Sequence, residues 1–479
     1  MRVRSVVAVL GLLGVLALGL LVPLRVLVTV LAVAVLAVLL LQWWLAEEQR
    51  QSNAQLKRLH RRLKTLAEES ARPVVVPAPA PVPAPPPDPF VDVSTMAADL
   101  LAGIDVAPDR SGSQVVLLLQ TFDPRLLFAG IRTAVLTSAR LAAELAVPLR
   151  VVVIDPPDAS PIECGDALRD LVAAEPGVEH VAADVHLWDS EAPDRAFGRD
   201  DVWVATYWTT AYSLRRLAHA GRIDPARVVY LVQDFEPGFY SWGALFAKAL
   251  STYDAGFRML VNSSSLAAYV TAQTSTDVPA ERVFAPALDE MALNRAAGDW
   301  RPSEDGRIRV LFYARPGKPR NMYTTGIEAL RTWGRSLPPG GPGAIVHFAG
   351  EDMDTEPVDL GPAVEVVHEG KLSYDDYYRL LRQVDLGLAL MLSPHPGHLA
   401  LELPMAGIPT VTNAFSGYRE RWVEGLVLAD PEPDAVAAAL AEATKVAEGL
   451  SEHVARPWSV GLGTELTEAV RALAADLRG

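Results

Sequence analysis

The sequence predicts an α/β protein: two Rossmann-like, doubly wound domains facing a cleft, preceded by a transmembrane helical hairpin. Three observations carry this reading. From about Ser94, short β-branched and leucine-rich runs alternate with amphipathic helical stretches, the pattern of parallel strands joined by crossover helices. A polar, punctuated stretch, Ala297–Arg307, divides those runs into two sets. Ahead of them lie two apolar runs of 20 residues, Val3–Val22 and Val26–Leu45; each is about 30 Å long as a helix, enough to cross a bilayer.

The amino-terminal elements follow in order. Only Pro23–Arg25 separates the two runs, which makes residues 1–46 a hairpin, with Trp43 and Trp44 at interfacial depth. No Ala-x-Ala-like site precedes the second run, and the first is long for a cleaved signal peptide. Arg2 and Arg4 precede the hairpin, and Arg50, Lys57, Arg58, Arg61, Arg62 and Lys64 follow it. The positive charge places both ends, and the body of the chain, on the cytoplasmic side of the cell membrane. In residues 47–72, Leu56, Leu59, Leu63 and Leu66 recur at helical spacing among basic residues. A short coiled coil through Leu56–Leu66 would give a homodimer, and a basic helix near anionic headgroups fits the same residues. Residues 73–93 contain "PVVVPAPAPVPAPPPDP", an extended spacer on the order of 50 Å long.

Composition narrows the function. A chain of 479 residues needs more than one core. Cys164 is the only cysteine, which excludes a disulfide framework and a cysteine-based metal site and fits a reducing compartment. The net charge is -15, yet residues 1–72 carry ten Lys/Arg against four Asp/Glu, and the rest carries 33 against 54. A body this acidic argues against a nucleic-acid partner.

In the first half, residues 94–300, strands are expected at 114–120, 149–155, 201–206, 227–233 and 258–263. In the second, residues 301–479 with a C-terminal helix, they are expected at 308–314, 344–350, 364–370, 386–392 and 408–413. Ligands of such sheets sit beyond the carboxyl ends of the strands, so the residues there are the candidates.

Strand 308–314 runs into "RPGKPRN", where Arg315, Lys318, Arg320 and Asn321 crowd ahead of a helix. Guanidinium forks beside a helix amino end suit phosphate, and a solvated basic turn is the plainer alternative. Strand 364–370 ends in "EGKLSYDD", with Gly370 and Lys371 ahead of a helix capped by Ser373. Strand 386–392 ends in "SPHPGHLALELPMAG", where Glu402 opens a helix among apolar neighbours with no evident core partner, so sugar or ribose hydroxyls are natural ligands. His395 and His398, split by Pro and Gly, lack the carboxylate spacing of a metal site. In the first half, "VVYLVQDFEPGFYSWG" ends in two carboxylates followed by aromatics. Asp234 and Glu236 fit sugar hydroxyls or the orientation of an attacking one, and Phe239, Tyr240 and Trp242 fit a sugar face. The alternative is that Glu236 caps the helix from Trp242 and the aromatics are core.

Two α/β halves, an arginine-rich turn on the first strand of the second half and "LELPMAGIPTVTN" together resemble GT-B glycosyltransferases of the retaining family 4 type. "VVYLVQDFEPGFYSWG", "FYARPGKPRN", "HEGKLSYDDYYRLL", "DVWVATYWTTAYSL" and "LFAGIRTAVLTSARLA" resemble the WsaF-type rhamnosyltransferases, which build bacterial surface polysaccharides from dTDP-L-rhamnose. The resemblance spans about residues 100–445. It implies a GT-B fold with the acceptor on the first half and the nucleotide-sugar donor on the second. It also implies that Arg315 and Lys371 hold the donor diphosphate, with Arg320 as basic partner, and that Glu402 holds the nucleoside sugar.

Asn321, Gly370 and His395 complete the donor set, and Gly130, Asp234, Glu236 and Tyr240 form the acceptor set. Pro394 stands where the wider superfamily has the first glutamate of a Glu, seven residues, Glu pattern, and Ala129 replaces the first glycine of a Gly-Gly pair. WsaF-type sequences share the Ser-Pro-His-Pro run. Catalysis is expected from Arg315, Arg320, Asp234 and Glu236, with no metal and no cofactor, on a glycan or lipid-linked acceptor. A silent nucleotide-sugar-binding scaffold and a GT-B nucleotide-sugar epimerase remain the alternatives.

Overall fold

The computed structural model describes residues 104–478 apart from 105, 108–109, 125–128, 156–158, 188–196, 353–357 and 458–460. All fall in one compact unit, Asp88–Gly479. The expected hairpin (1–46), basic segment (47–72, with the Leu56–Leu66 seam) and proline spacer (73–93) lie outside the described residues. Among the described residues no helix is long and apolar enough to cross a membrane.

A short parallel pair, β1 (Val106–Ala107) and β5 (Phe197–Gly198), stands beside the first sheet. That sheet has seven parallel strands: β2 (Val115–Leu119), β3 (Leu149–Val153), β4 (Ala183–Leu187), β6 (Val202–Ala205), β7 (Val228–Val232), β8 (Arg258–Asn262) and β9 (Val283–Phe284), in the order β4-β3-β2-β6-β7-β8-β9. The second has six: β10 (Ile308–Ala314), β11 (Ala344–Gly350), β12 (Val364–Gly370), β13 (Leu386–Leu388), β14 (Thr410–Asn413) and β15 (Leu426–Ala429), in the order β12-β11-β10-β13-β14-β15. Each sheet starts in its middle, grows outward through the next two strands, then restarts on the other side of the first. In sheets of this kind ligands sit beyond the strand ends at that reversal, which falls between β2 and β6 and between β10 and β13. Strands such as VVLLL and VVYLV are buried on both faces, as parallel strands covered by helices must be.

The described helices are α1 (Ala129–Leu145), α2 (Pro161–Ala173), α3 (Trp208–His219), α4 (Ala244–Leu250), α5 (Ser264–Gln273), α6 (Glu290–Asp299), α7 (Tyr323–Ser336), α8 (Tyr374–Leu381), α9 (Leu399–Met405), α10 (Pro433–Glu448) and α11 (Leu466–Arg478). Two of them depart from the expected division at 300/301. Helix α6 buries Ala292, Leu293 and Ala296 with Leu380, Leu381 and Leu403 of the second half. Helix α11, expected with the second half, buries Leu466, Val470 and Leu473 in the first-half core with Leu117 and Leu141. Both have one apolar stripe, and the stripe alone does not say which sheet receives it. The chain therefore changes halves before α6 and returns before α11. There Thr464 donates its N–H to the Val283 carbonyl (2.9 Å) and accepts from Ala285 N–H (3.0 Å).

Glycine sets the packing behind the basic loop. A Cβ at Gly326, near the start of α7, would stand 2.4 Å from the Phe312 ring, which is fully buried. Gly326→Ala is expected to lower stability by about 1–3 kcal/mol through overpacking, read as a lower thermal midpoint.

Candidate active site

The loops at the carboxyl ends of β7, β10 and β13 meet. After β7 a 3-10 turn, Glu236–Phe239, replaces the simple connection, and after β10 another covers Pro319–Asn321. Asp234, from the first half, sits between two groups of the second: Ser393 Oγ donates to its Oδ1, and Arg320 Nε lies 3.4 Å from its Oδ2. The Arg320 guanidinium also lies over the Phe239 ring, 4.3 Å from its centroid, an arrangement favourable to a cation. The Leu392 N–H donates to the Arg320 carbonyl, tying the β10 and β13 loops together at 2.6 Å.

The basic loop brings two guanidiniums to the end of β10. Arg315 stacks on Tyr313 (5.5 Å) and donates Nη1–H to its hydroxyl (3.1 Å). Arg315 Nε is buried with no hydrogen-bond partner, and Arg320 Nε has only the long contact to Asp234. Gly317 N–H donates to Glu351 Oε2 (2.9 Å), which fixes the loop from the end of β11. Asn321 is buried rather than presented to the cleft: its Nδ2 donates to the Leu390 carbonyl (3.4 Å), and its Oδ1 has no partner.

Lys371 follows β12, the edge strand, one strand beyond β11 from the Arg315 loop and so about 10 Å away across the sheet. Its side chain is exposed, and its N–H donates to Asp352 Oδ1 (2.9 Å). Gly370 serves conformation: its φ is +64°, and a Cβ would stand 2.5 Å from the same Asp352 oxygen.

Glu402 does have a core partner, contrary to expectation. Tyr377 on α8 donates its hydroxyl to Glu402 Oε2 (2.7 Å), while Oε1 lies 3.7 Å from His398 Nδ1. The partner is 25 residues earlier, beyond the reach of local spacing. His395 is buried, and Gly397 N–H donates to its Nδ1 (3.0 Å), so the neutral ring carries its proton on Nε2, which has no partner. Burial first, then His398, Arg419 and Arg320, pull its pKa down to about 3. The ring is therefore neutral at physiological pH.

Across the cleft, Glu236 is turned inward. Its Oε2 accepts from the Trp208 N–H at the start of α3 and from the Tyr230 hydroxyl (3.1 Å). It caps a helix, as the alternative reading has it, but the helix is α3, 28 residues earlier, and not the one after Trp242. Burial pushes its carboxyl well above the ordinary value, against the pull of Tyr230, the Trp208 N–H and Arg320. Tyr240 accepts from Trp208 Nε1 (2.9 Å) and is hydrogen-bonded to the Tyr207 hydroxyl (3.0 Å), within an aromatic group that includes Phe239. Trp242 is 91% exposed and stacked on Phe246. Gly130, in the first turn of α1, accepts from Gln233 Nε2 at its carbonyl (3.0 Å), which ties that helix start to the residue before Asp234.

Arg419 is the residue that the motifs did not single out. Its buried guanidinium donates to the carbonyls of the Ser393–Pro396 turn. The sequence signal was slight, an arginine two residues after Gly417. Among the described residues no group of His, Cys, Asp and Glu is placed to hold a metal ion.

Two parallel α/β halves, each with a strand reversal, and loops that meet across one cleft define a protein of the GT-B class. Residues 114–263 match the family model described as "WsaF, N-terminal domain", and residues 308–441 match "WsaF, C-terminal domain". Together the two models cover more than half of the chain, in family order, and the chain belongs to the WsaF family.

A curated relative, the O-antigen biosynthesis protein RfbC of Myxococcus xanthus, is 34% identical over 247 residues, which is 51% of this chain and 18% of that protein. The chain thus spans about a fifth of the length of that relative. Among solved structures, Anabaena Alr3699/HepE in complex with UDP is 14% identical, with a TM-score of 0.46 over 76% of this chain and 94% of that one. WaaG, titled a glycosyltransferase involved in lipopolysaccharide biosynthesis, is also 14% identical, with a TM-score of 0.41 over 76% and 94%.

Proposed function

We propose that this protein is a glycosyltransferase. It moves a sugar from a nucleoside diphosphate onto a hydroxyl of a cell-surface polysaccharide or lipid-linked glycan precursor, with dTDP-L-rhamnose as donor. One observation carries the reading: Arg315 and Arg320 bring two guanidiniums onto one loop beside the strand reversal of the second sheet, and the buried Arg315 Nε–H has no hydrogen-bond partner, while Arg320 Nε pairs with Asp234 at 3.4 Å. An unsatisfied buried cationic donor is costly, and a diphosphate offers oxygens suited to guanidinium forks.

Breaking the sugar-phosphate bond moves negative charge onto the leaving diphosphate and positive charge onto the sugar ring. Cations fixed at the phosphate lower that barrier. Arg315, Arg320 and Lys371 supply them, so no metal is required, and Glu402 holds the nucleoside sugar. On the other side Asp234 orients the attacking hydroxyl or takes its proton. Retention at the anomeric carbon and the identity of the donor rest on the resemblance to rhamnosyltransferases. The name of RfbC supports a role in surface polysaccharide. The apolar hairpin would hold the enzyme on the cytoplasmic face of the cell membrane, with the proline spacer between membrane and catalytic body and the Leu56–Leu66 seam pairing two copies.

The test is a panel of nucleotide sugars read by thermal stabilisation and by turnover. A donor at 100 times its Kd is expected to add about 2.7 kcal/mol of stability. The expected result is stabilisation by dTDP-L-rhamnose and sugar transfer only when a lipid-linked glycan extract is present. Donor conversion without acceptor points to an epimerase, binding without turnover to a scaffold, and stabilisation by no nucleotide sugar overturns the site.

A further inference from the structure

The turn that follows β13 is shaped by a charge buried for that purpose. Arg419 is 5% exposed and makes no ion pair among the described residues. Its Nε donates to the Ser393 carbonyl (3.2 Å), and its Nη2 to the carbonyls of His395 (3.1 Å) and Pro396 (3.3 Å). Its Nη1 donates to Thr412 Oγ1 (2.7 Å) and the Asn413 carbonyl (3.4 Å). A buried guanidinium is expensive; Asp234 acts on this one without a direct ion pair, and the fork goes to four backbone carbonyls and the Thr412 hydroxyl, which marks a backbone shape that matters.

The turn it holds bears three things. Pro394 stands where the wider superfamily pattern has its first glutamate. Ser393 Oγ accepts from the His395 N–H (3.0 Å) and donates across the cleft to Asp234. His395 has Nδ1 occupied by Gly397 N–H and Nε2 buried without a partner. Gly397 has φ of +80°, a conformation that a residue with a side chain adopts only under strain.

We propose that Arg419 is a positioning residue: it fixes the Ser393–Gly397 turn so that His395 offers a neutral Nε2–H to an oxygen of the donor sugar. This rests on the glycosyltransferase reading. A carboxylate at position 394 would accept hydrogen bonds from sugar hydroxyls, whereas an imidazole N–H only donates and therefore selects an acceptor oxygen. Arg419 acts through the turn and touches no reacting atom.

The test uses the full chain with Arg419→Met, Arg419→Lys and His395→Gln. In nitrogen-15 histidine spectra, His395, identified by its loss in His395→Gln, is expected to hold the Nε2-protonated tautomer between about pH 6 and 8. In Arg419→Met it is expected to move toward averaged tautomers while the thermal transition stays cooperative. An unchanged His395 signal overturns the proposal, whatever the activity.

In transfer assays Arg419→Met and His395→Gln are each expected to lower kcat on the order of 100-fold with donor KM little changed. The double variant is expected to be no slower than either single, because both act through one group. Losses that multiply overturn it. Arg419→Lys is expected not to restore the rate, since an ammonium cannot span five acceptors. If Arg419→Met does not fold, Thr412→Val removes the shortest of these contacts and is expected to shift the His395 signal in the same direction; no shift overturns the proposal. Absence of transfer by the wild type from every donor would reject the glycosyltransferase reading, and the spectra would still decide the positioning.

Discussion

Arg315→Ala is expected to lower kcat for sugar transfer about 100-fold, a loss of about 3 kcal/mol of transition-state stabilisation, with the fold retained. The side chain rests on Tyr313 at the surface of the β10 loop, and its one hydrogen bond to protein is to the Tyr313 hydroxyl, so truncation strips little from the core. What it removes is the fixed cation proposed to face the leaving diphosphate. Arg315→Lys is expected to recover only part of the rate, because an ammonium offers a point charge in place of a fork. Steady-state kinetics with a saturating acceptor measures both, and full activity of Arg315→Ala would reject the assignment of this loop.

The second large effect is on stability and concerns Glu236. Glu236→Ala is expected to cost about 3 kcal/mol, since the Trp208 N–H and the Tyr230 hydroxyl would lose a buried acceptor. Glu236→Gln keeps an acceptor and is expected to cost far less. The pH dependence has a definite sign. The folded-state pKa is raised above its ordinary value of 4.5, so the folded protein holds this proton more tightly than the unfolded chain. The resulting stability is fully present below about pH 4 and is lost as pH rises through the folded pKa. Wild type is therefore expected to lose stability relative to Glu236→Gln as pH is raised from 5 to 8, measured by denaturant titration of both proteins. His395 acts in the opposite sense. Its pKa is depressed to about 3, so it destabilises the fold as pH falls from about 6.5 towards 3.

Much of this was legible in the sequence because it is local. Runs such as VVYLV and IRVLFYA are long and apolar enough to be read as buried strands, and the cationic cluster at Arg315–Arg320 directly follows one. Strand β4 was not anticipated: it lies at the sheet edge and is half exposed along most of its length, so its pattern is mixed. What local patterns miss is pairing across the fold. Glu236 serves a helix earlier in the chain, Glu402 answers Tyr377, and Asp234 meets Ser393 across 159 residues. Arg419 has no motif at all: four of its five acceptors are backbone carbonyls that any sequence would supply.

The two passages of the chain between the halves run side by side. Phe284 bridges Thr464, Ser264 N–H donates to the Leu462 carbonyl (2.8 Å), and a Cβ on Gly463 would meet the Phe284 backbone at 2.6 Å. The backbone at these passages has little freedom to separate, because each is hydrogen-bonded to the other. The contacts from Asp234 to Ser393 and from Arg320 to Phe239 join the same two halves at the loops of β7, β10 and β13. The Phe284 and Gly463 passages are thus tied to each other as well as to the halves they join, and a side chain at Gly463 would have to push the Phe284 backbone aside.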